Sequence, residues 1–289
     1  MIHSVVRTAV MGIALMFTAT VTLAQETFIF TAIPDEDETK LMERFQGVAD
    51  YLSEELDVDV RYIPVKSYAA AVSAFRNNQV QLAWFGALSG VQARRLVPGS
   101  EAIAQGVEDE TFHTYFIAHR DSGLEPMDEL NESLKGKTFT FGSKGSTSGR
   151  LIPEFYVREA FNQSPDEVFS RVGFSGNHTR SLRLVEAGTY QVGVVNFKVW
   201  DKELADGNID EDQVQVIWST PPYPNYQWTI RGDVNDRFGE GFKDRVTKAL
   251  LTLEDEELLN SFPRSGFIPA SNEGYEPIRK VAEQLGIMD

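Results

Sequence analysis

The chain has 289 residues, 42% of them hydrophobic, enough for one large or two medium domains and unlike a disordered composition. It contains no cysteine, which excludes disulfides, thiolate catalysis, Cys-ligated metals and a lipidated N-terminal cysteine. With 27 basic and 43 acidic residues the net charge is -16, a surface that repels nucleic-acid backbones, anionic lipid and small anions alike. Any anion site must therefore rest on local dipoles and hydrogen bonds.

Residues 1–24 have the pattern of a cleaved signal peptide: Arg7, the apolar run Ala9–Ala19, then small residues around Thr22-Leu23-Ala24. A membrane anchor is the alternative, but Thr and Gly interrupt the run. The mature chain is then expected to be exported. Thr27–Ile33 predicts a buried strand, and the acidic run Asp35–Glu38 reads as surface acids at a helix start. A helix is predicted over 38–56, with Leu41, Phe45, Val48, Leu52 and Leu56 at helical spacing. A strand at 59–65, a helix at 68–76, a strand at 82–85 and a helix at 88–96 complete a βαβαβα alternation, which predicts a parallel sheet.

Thr111–His119 alternates like a connecting strand, and a second alternation starts at Lys137–Phe141. It continues with a helix from Thr147, strands at 172–174, 192–195 and 214–218, and a helix at 180–186. Helices over 238–259 and 275–285 close the chain. Tyr115–Ala118 and Tyr226–Ile230 are the natural crossings between two lobes: 25–114 with 227–289, and 115–226.

The most informative stretch is Phe139–Leu151, a strand, a Gly- and Ser-rich loop, and a helix opening at Ser146-Thr147-Ser148. Such an opening offers backbone N–H groups, hydroxyls and the positive end of a helix dipole to an anion. Plain helix capping explains the same residues. The stretch is not a Walker A loop, a G-x-G-x-x-G fingerprint or a G-x-S-x-G elbow, and the chain has no H-E-x-x-H. In open α/β sheets ligands bind beyond the carboxyl ends of strands. That rule singles out Tyr68, Trp84, Phe85, His178 and Asn196, each otherwise a structural residue. Tyr223, Tyr226 and Trp228 wall the cleft or pack the hinge.

These residues resemble the periplasmic substrate-binding proteins of phosphonate, phosphite and phosphate ABC importers. The resemblance is carried by Ser67-Tyr68, Leu82–Gly86, Gly145–Gly149, Gly176-Asn177-His178, Phe267–Ala270 and Tyr275–Ile278, and spans the mature chain. Within that family the chain is similar to the branch named for selenate transport. The resemblance implies an α/β type II periplasmic-binding fold, with two lobes joined by two crossover strands. It implies a binding protein rather than an enzyme, with no cofactor or metal, monomeric, serving an ABC permease in the inner membrane. Ser146, Thr147 and Ser148 would donate to the oxyanion, Tyr68 and His178 would line the cleft, and Tyr115 would be a second tyrosine. Where aminoalkyl-phosphonate binders carry acids, this chain reads Asn196-Phe197-Lys198. The mapped positions then offer donors only, which suits a fully ionised anion such as selenate or sulfate, or a small phosphorus oxyanion. A solute sensor for a membrane kinase would use the same binding chemistry. A serine hydrolase would need Ser148 or Ser146 within reach of His178 and an acid such as Asp201.

Overall fold

The computed structural model describes residues 26–288, so the expected signal peptide lies outside the described residues. The first part of the chain runs β1 (Phe28–Ala32), α1 (Glu38–Leu56), β2 (Val60–Tyr62), α2 (Tyr68–Arg76), β3 (Leu82–Phe85), α3 (Ala87–Leu96) and β4 (Glu101–Gly106). The middle part is β5 (Thr114–His119), β6 (Thr138–Phe141), α4 (Ile152–Phe161), α5 (Pro165–Val168), β7 (Arg171–Phe174), α6 (His178–Glu186), β8 (Val192–Asn196), α7 (Phe197–Ala205) and β9 (Val214–Ser219). The last part is β10 (Gln227–Ile230), α8 (Val234–Phe238), α9 (Phe242–Leu251), α10 (Glu256–Ser261), β11 (Phe267–Pro269) and α11 (Glu276–Gln284).

Two sheets result, in strand orders β11-β4-β10-β3-β1-β2 and β7-β6-β8-β5-β9. The alternation does produce parallel pairs, β1 with β2 and β3, and β6 with β7 and β8. The sheets themselves are mixed, which corrects the expectation of a parallel sheet. The reason is the crossings: β5 enters the second sheet antiparallel between β8 and β9, and β10 enters the first antiparallel between β3 and β4. Of the expected crossing segments, Tyr115–Ala118 lies inside β5, and Tyr226–Ile230 is Tyr226 followed by the whole of β10. The crossing itself comes just before them, where Phe112 and Tyr223 exchange backbone hydrogen bonds of 3.0 and 2.8 Å.

The predicted spacing of α1 is met: Leu41, Phe45, Val48, Leu52 and Leu56 are all buried. They pack on an aromatic layer in which Phe30, Phe45, Trp84, Trp228 and Phe262 meet at ring distances of 5.2–6.2 Å. Each such ring buries about 150–250 Å², so this layer dominates the first sheet's core. The helix expected over 238–259 is three pieces, α8, α9 and α10. Gly239 and Gly241, at φ of 97° and 76°, break it where a side chain would be strained. The short strands β4 and β11 and the helix α7 were not anticipated. The acidic run also divides: Asp37 and Glu38 are exposed, but Asp35 and Glu36 precede the helix and are buried. Among the described residues no helix is long and apolar enough to cross a membrane.

One ion pair ties the C-terminal segment to the crossing. Arg264 holds Asp109 with two hydrogen bonds, 2.7 and 3.0 Å, and both groups are buried. Its guanidinium lies over the rings of Phe112 and Tyr226. Removing one partner leaves an uncompensated buried charge, so Arg264→Met is expected to cost about 3–5 kcal/mol in urea unfolding. A loss under about 1 kcal/mol would show the pair to be dispensable.

Candidate functional site

Four helix starts and one strand end converge where the two sheets face each other. Each follows the carboxyl end of a strand: Asp35 after β1, Gly86 before α3, the loop after β6, Asn177-His178 after β7, and Asn196 before α7. After β6 the loop is held tight by the Gly142 N–H to Gly149 carbonyl bond of 2.7 Å. A Cβ on Gly142 would stand 3.2 Å from the Gly149 Cα, so the close approach favours glycine at both positions. Ser146 is extended and caps the turn, its Oγ accepting from Gly149 N–H at 2.8 Å. Leu151 and Ile152 donate to the carbonyls of Ser146 and Thr147, i→i+5 bonds that widen the first turn before α4. A helix start leaves the N–H groups of Thr147 and Ser148 without intrahelical partners.

The three hydroxyls of this opening all accept or are positioned by groups around them. Thr147 Oγ1 accepts from Leu88 N–H at 2.9 Å, and so caps α3 from the opposite sheet. Asn225 Oδ1 meets the neighbouring Ala87 N–H at 3.3 Å. Ser148 Oγ is 3.1 Å from His178 Nε2. The tautomer of His178 follows from its other nitrogen, since Nδ1 accepts from Asn196 N–H at 3.2 Å. Nε2 then carries the proton and donates to Ser148. Burial holds the imidazole neutral, its pKa pushed down to about 4. An accepted hydrogen bond fills a lone pair and leaves a hydroxyl proton to donate, so Ser146, Thr147 and Ser148 are arranged as donors.

The same tautomer removes the serine-hydrolase arrangement. A protonated Nε2 cannot take the Ser148 proton, and Nδ1 faces a backbone N–H rather than a carboxylate. Asp201 lies instead beside His113 and Tyr115.

The first sheet contributes two tyrosines and an acid. Tyr68, at the start of α2, is buried and its hydroxyl has no hydrogen-bond partner; Ser146 lies beside it without completing one. Burial and then the Asp35 charge push its pKa well above the usual value. Tyr226 stacks on Trp84 at 5.6 Å, accepts from Asn196 Nδ2 at 3.1 Å, and faces the Asp35 carboxylate. Asp35 is 4% exposed, its Oδ1 unpartnered. Burial, reinforced by Glu36, pushes its pKa up to about 6. Glu36 is held below the usual carboxylate range by Arg44, 2.7 Å away.

Of the residues singled out from the sequence, Ser146, Thr147, Ser148, Tyr68, His178 and Asn196 come together at this junction. Trp84 lies beneath it as the platform for Tyr226. Phe85 does not reach it: it is fully buried against Phe75 under α2. Tyr115 does not reach it either, and packs near His113 and Trp200. Its neighbour Thr114 faces the opening instead, donating to the Ser148 carbonyl at 3.1 Å and lying 2.5 Å from the Tyr223 hydroxyl. Trp228 is core, and Tyr223 packs at the crossing. Sequence reasoning missed Asp35, although it ends β1 just as Tyr68 and His178 follow theirs. The expectation of a site with donors alone therefore does not hold. Among the described residues no cluster of His, Asp or Glu could hold a metal.

This geometry has relatives. Residues 30–275 match the family described as "ABC transporter, phosphonate, periplasmic substrate-binding protein". The chain is 37% identical over 261 residues to the probable ABC transporter phosphite binding protein PhnD1 of Prochlorococcus marinus (strain MIT 9301), covering 88% of each. It is 26% identical to the phosphonates-binding periplasmic protein of Escherichia coli (strain K12), over 88% of this chain and 75% of that one. The solved structure of the Prochlorococcus PhnD1 in complex with methylphosphonate superposes with a TM-score of 0.87 at 36% identity, covering 91% of this chain and 99% of that one. The two mixed sheets and their paired crossings are the type II periplasmic-binding fold of these structures. The chain belongs to the family of periplasmic phosphonate-binding proteins of ABC transporters.

Proposed function

We propose that the protein captures a small phosphorus oxyanion of the phosphonate, phosphite or phosphate class between its two sheets and delivers it to an inner-membrane permease. The observation that carries this reading is the convergence of helix starts at Ala87, Thr147, His178 and Phe197, with the hydroxyls of Ser146, Thr147 and Ser148 set as donors among them. Helix starts favour negative charge by about 0.3–1 kcal/mol each, and by up to about 2 in protected geometry. Together they offset the repulsion of a chain with net charge -16. The Prochlorococcus relative's complex with methylphosphonate supports the choice of phosphorus over selenium.

The halves close as bodies about the Phe112–Tyr223 pair, the segment 115–226 moving against the rest. Closed contacts include polar ones: Ser89 Oγ donates to the Gly145 carbonyl at 3.0 Å, and His178 N–H to the Asp35 carbonyl at 2.9 Å. Lys40 pairs with Glu203, and Lys198 with Glu108 at 3.2 Å.

A panel of oxyanions read by thermal shift is the first test. A ligand at 100 times its Kd adds about 2.7 kcal/mol of stability. Methylphosphonate, phosphite or phosphate is expected to respond; silence from all phosphorus, sulfur and selenium oxyanions would sink the reading. Ser146→Ala with Thr147→Val is expected to weaken binding by about 100-fold, the loss of two charge-assisted hydrogen bonds. Unchanged affinity would move the site elsewhere. Lys40→Ala touches no donor but loosens closure. Its ion pair is partly exposed and worth about 0.2–1 kcal/mol, so calorimetry is expected to show affinity falling about two- to fivefold. A larger loss would give Lys40 a direct role.

A further inference from the structure

Among the buried side-chain atoms without a hydrogen-bond partner, Tyr68 Oη, Asn225 Nδ2 and Asp35 Oδ1 lie at the junction of the sheets, and Arg44 Nε lines the small cavity that Asp35 shares with Tyr226; of these, Asp35 alone is purely an acceptor. The hydroxyl and amide can donate and suit an oxyanion's oxygens, and Arg44 keeps its charge on Glu36. Asp35 does not fit that pattern, because an ionised carboxylate only accepts. A bare dianion placed there would meet a like charge and leave Oδ1 unpartnered.

The groups facing Asp35 relieve it only in part: the Arg44 charge and the Tyr226 hydroxyl favour the carboxylate, but burial and Glu36 outweigh them. Glu36 adjoins it and gives its own charge to Arg44 of α1. Tyr62 of β2 and Tyr68 of α2 are close enough to be raised by the Asp35 charge. Tyr226 turns its hydroxyl to the carboxylate, and His178 of α6, neutral, uses its backbone N–H on the Asp35 carbonyl. No cation among the described residues forms a hydrogen bond with the Asp35 carboxylate. What remains is an acceptor, 4% exposed, beside a set of donors. A ligand with several acceptor oxygens and one O–H is complementary to that arrangement.

We propose that Asp35 accepts the proton of a singly protonated oxyanion, so that the site takes hydrogen phosphonate, hydrogen phosphite or hydrogen phosphate and rejects selenate and sulfate. The inference rests on the oxyanion reading above and narrows it. Phosphate-like anions keep one proton over part of the neutral range, whereas selenate and sulfate have none to give at neutral pH. A polar site that must hydrogen-bond an O–H rejects the analogue lacking it by on the order of 10⁴-fold. Because burial pushes Asp35 up towards the same range as the ligand, the complex holds one proton between carboxylate and oxyanion.

Calorimetry of the mature protein in two buffers of different ionisation enthalpy counts that proton. At about pH 8.5, where free methylphosphonate has largely lost its proton, binding is expected to take up nearly one proton, with affinity falling about tenfold per pH unit. At pH 7 methylphosphonate is expected to bind at least about 100-fold more tightly than selenate. Asp35→Asn, whose amide can donate to a bare oxygen, is expected to weaken methylphosphonate at least about tenfold, strengthen selenate and flatten the pH slope. Binding of methylphosphonate without proton uptake overturns the inference, as does an unchanged methylphosphonate-to-selenate ratio in Asp35→Asn. An Asp35-dependent preference for 2-aminoethylphosphonate also overturns it, by giving the carboxylate an ammonium partner. If Asp35→Asn does not fold, the wild-type proton count decides alone. The two readings fail differently. Silence towards methylphosphonate, phosphite, phosphate and selenate overturns both. Methylphosphonate binding that is lost in Ser146→Ala/Thr147→Val but takes up no proton overturns only this one.

Discussion

A chain with net charge -16 can hold a further anion only where its own charges are screened out and oriented dipoles replace them. The junction of the sheets meets that constraint by geometry. Because β3, β6, β7 and β8 all end there, the helices that follow present their N-termini to one place. Formal positive charge is not recruited. Arg264 is committed to Asp109, and Arg44 pairs with Glu36 while its charge also reaches Asp35. In the proposed site the attraction for an anion comes from backbone N–H groups and hydroxyls, which cost no desolvated cation.

Much of this was legible in the sequence because strand ends and caps have local signatures. Gly-Ser-Thr-Ser before an apolar helical pattern marks a helix start, and Tyr68, His178 and Asn196 follow short apolar runs. The failures have equally specific causes. Trp84 and Phe85 are still inside β3, a strand buried on both faces, so the residue that reaches the junction is the next one, Gly86. Tyr115 sits on an alternating strand, and alternation separates two faces without saying which one meets the opening. Thr114 and Phe116 share one face and Tyr115 and Ile117 the other. Asp35 was hidden by its neighbours, since four successive acids look like a solvated helix start. Only the tertiary packing of β1 against Tyr226 and α6 separates the two buried acids from the two exposed ones. The antiparallel insertion of β5 and β10 was invisible for a related reason. Strand order is set by pairings about 95 to 148 residues apart, which no local pattern encodes.

Asp35 and His178 show how one environment acts on opposite charges. Burial raises the acid to about 6 and lowers the imidazole to about 4, in each case towards the neutral form. The imidazole is thereby held as a donor through Nε2, with Asn196 N–H fixing the tautomer. In the proposed reading the carboxyl is the group that shares a proton with a bound oxyanion. A basic pocket would bind any anion with little regard to its protonation. A pocket of dipoles with one poised acceptor has a preference built into its hydrogen-bond pattern.

The same bonds that shape the site also link it to closure. Thr147 Oγ1 caps α3, Asn177 Nδ2 donates to the Glu36 carbonyl, and His178 N–H reaches the Asp35 carbonyl, all from one sheet's elements to the other's. Helix starts otherwise leave these N–H groups to water. Exchanging water for such partners is worth only about 0.5–1.5 kcal/mol per bond, so closure by itself is weakly driven and reversible. An anion seated among the same helix starts adds interactions that exist only when both halves are present. Its binding energy is then what shifts the population towards the closed form. A transport component needs that coupling, because the permease must distinguish a loaded protein from an empty one by shape. In this chain the polar contacts between the halves lie within a few residues of the proposed ligand groups, and Leu151, Ile152 and Phe197 add apolar packing beside them.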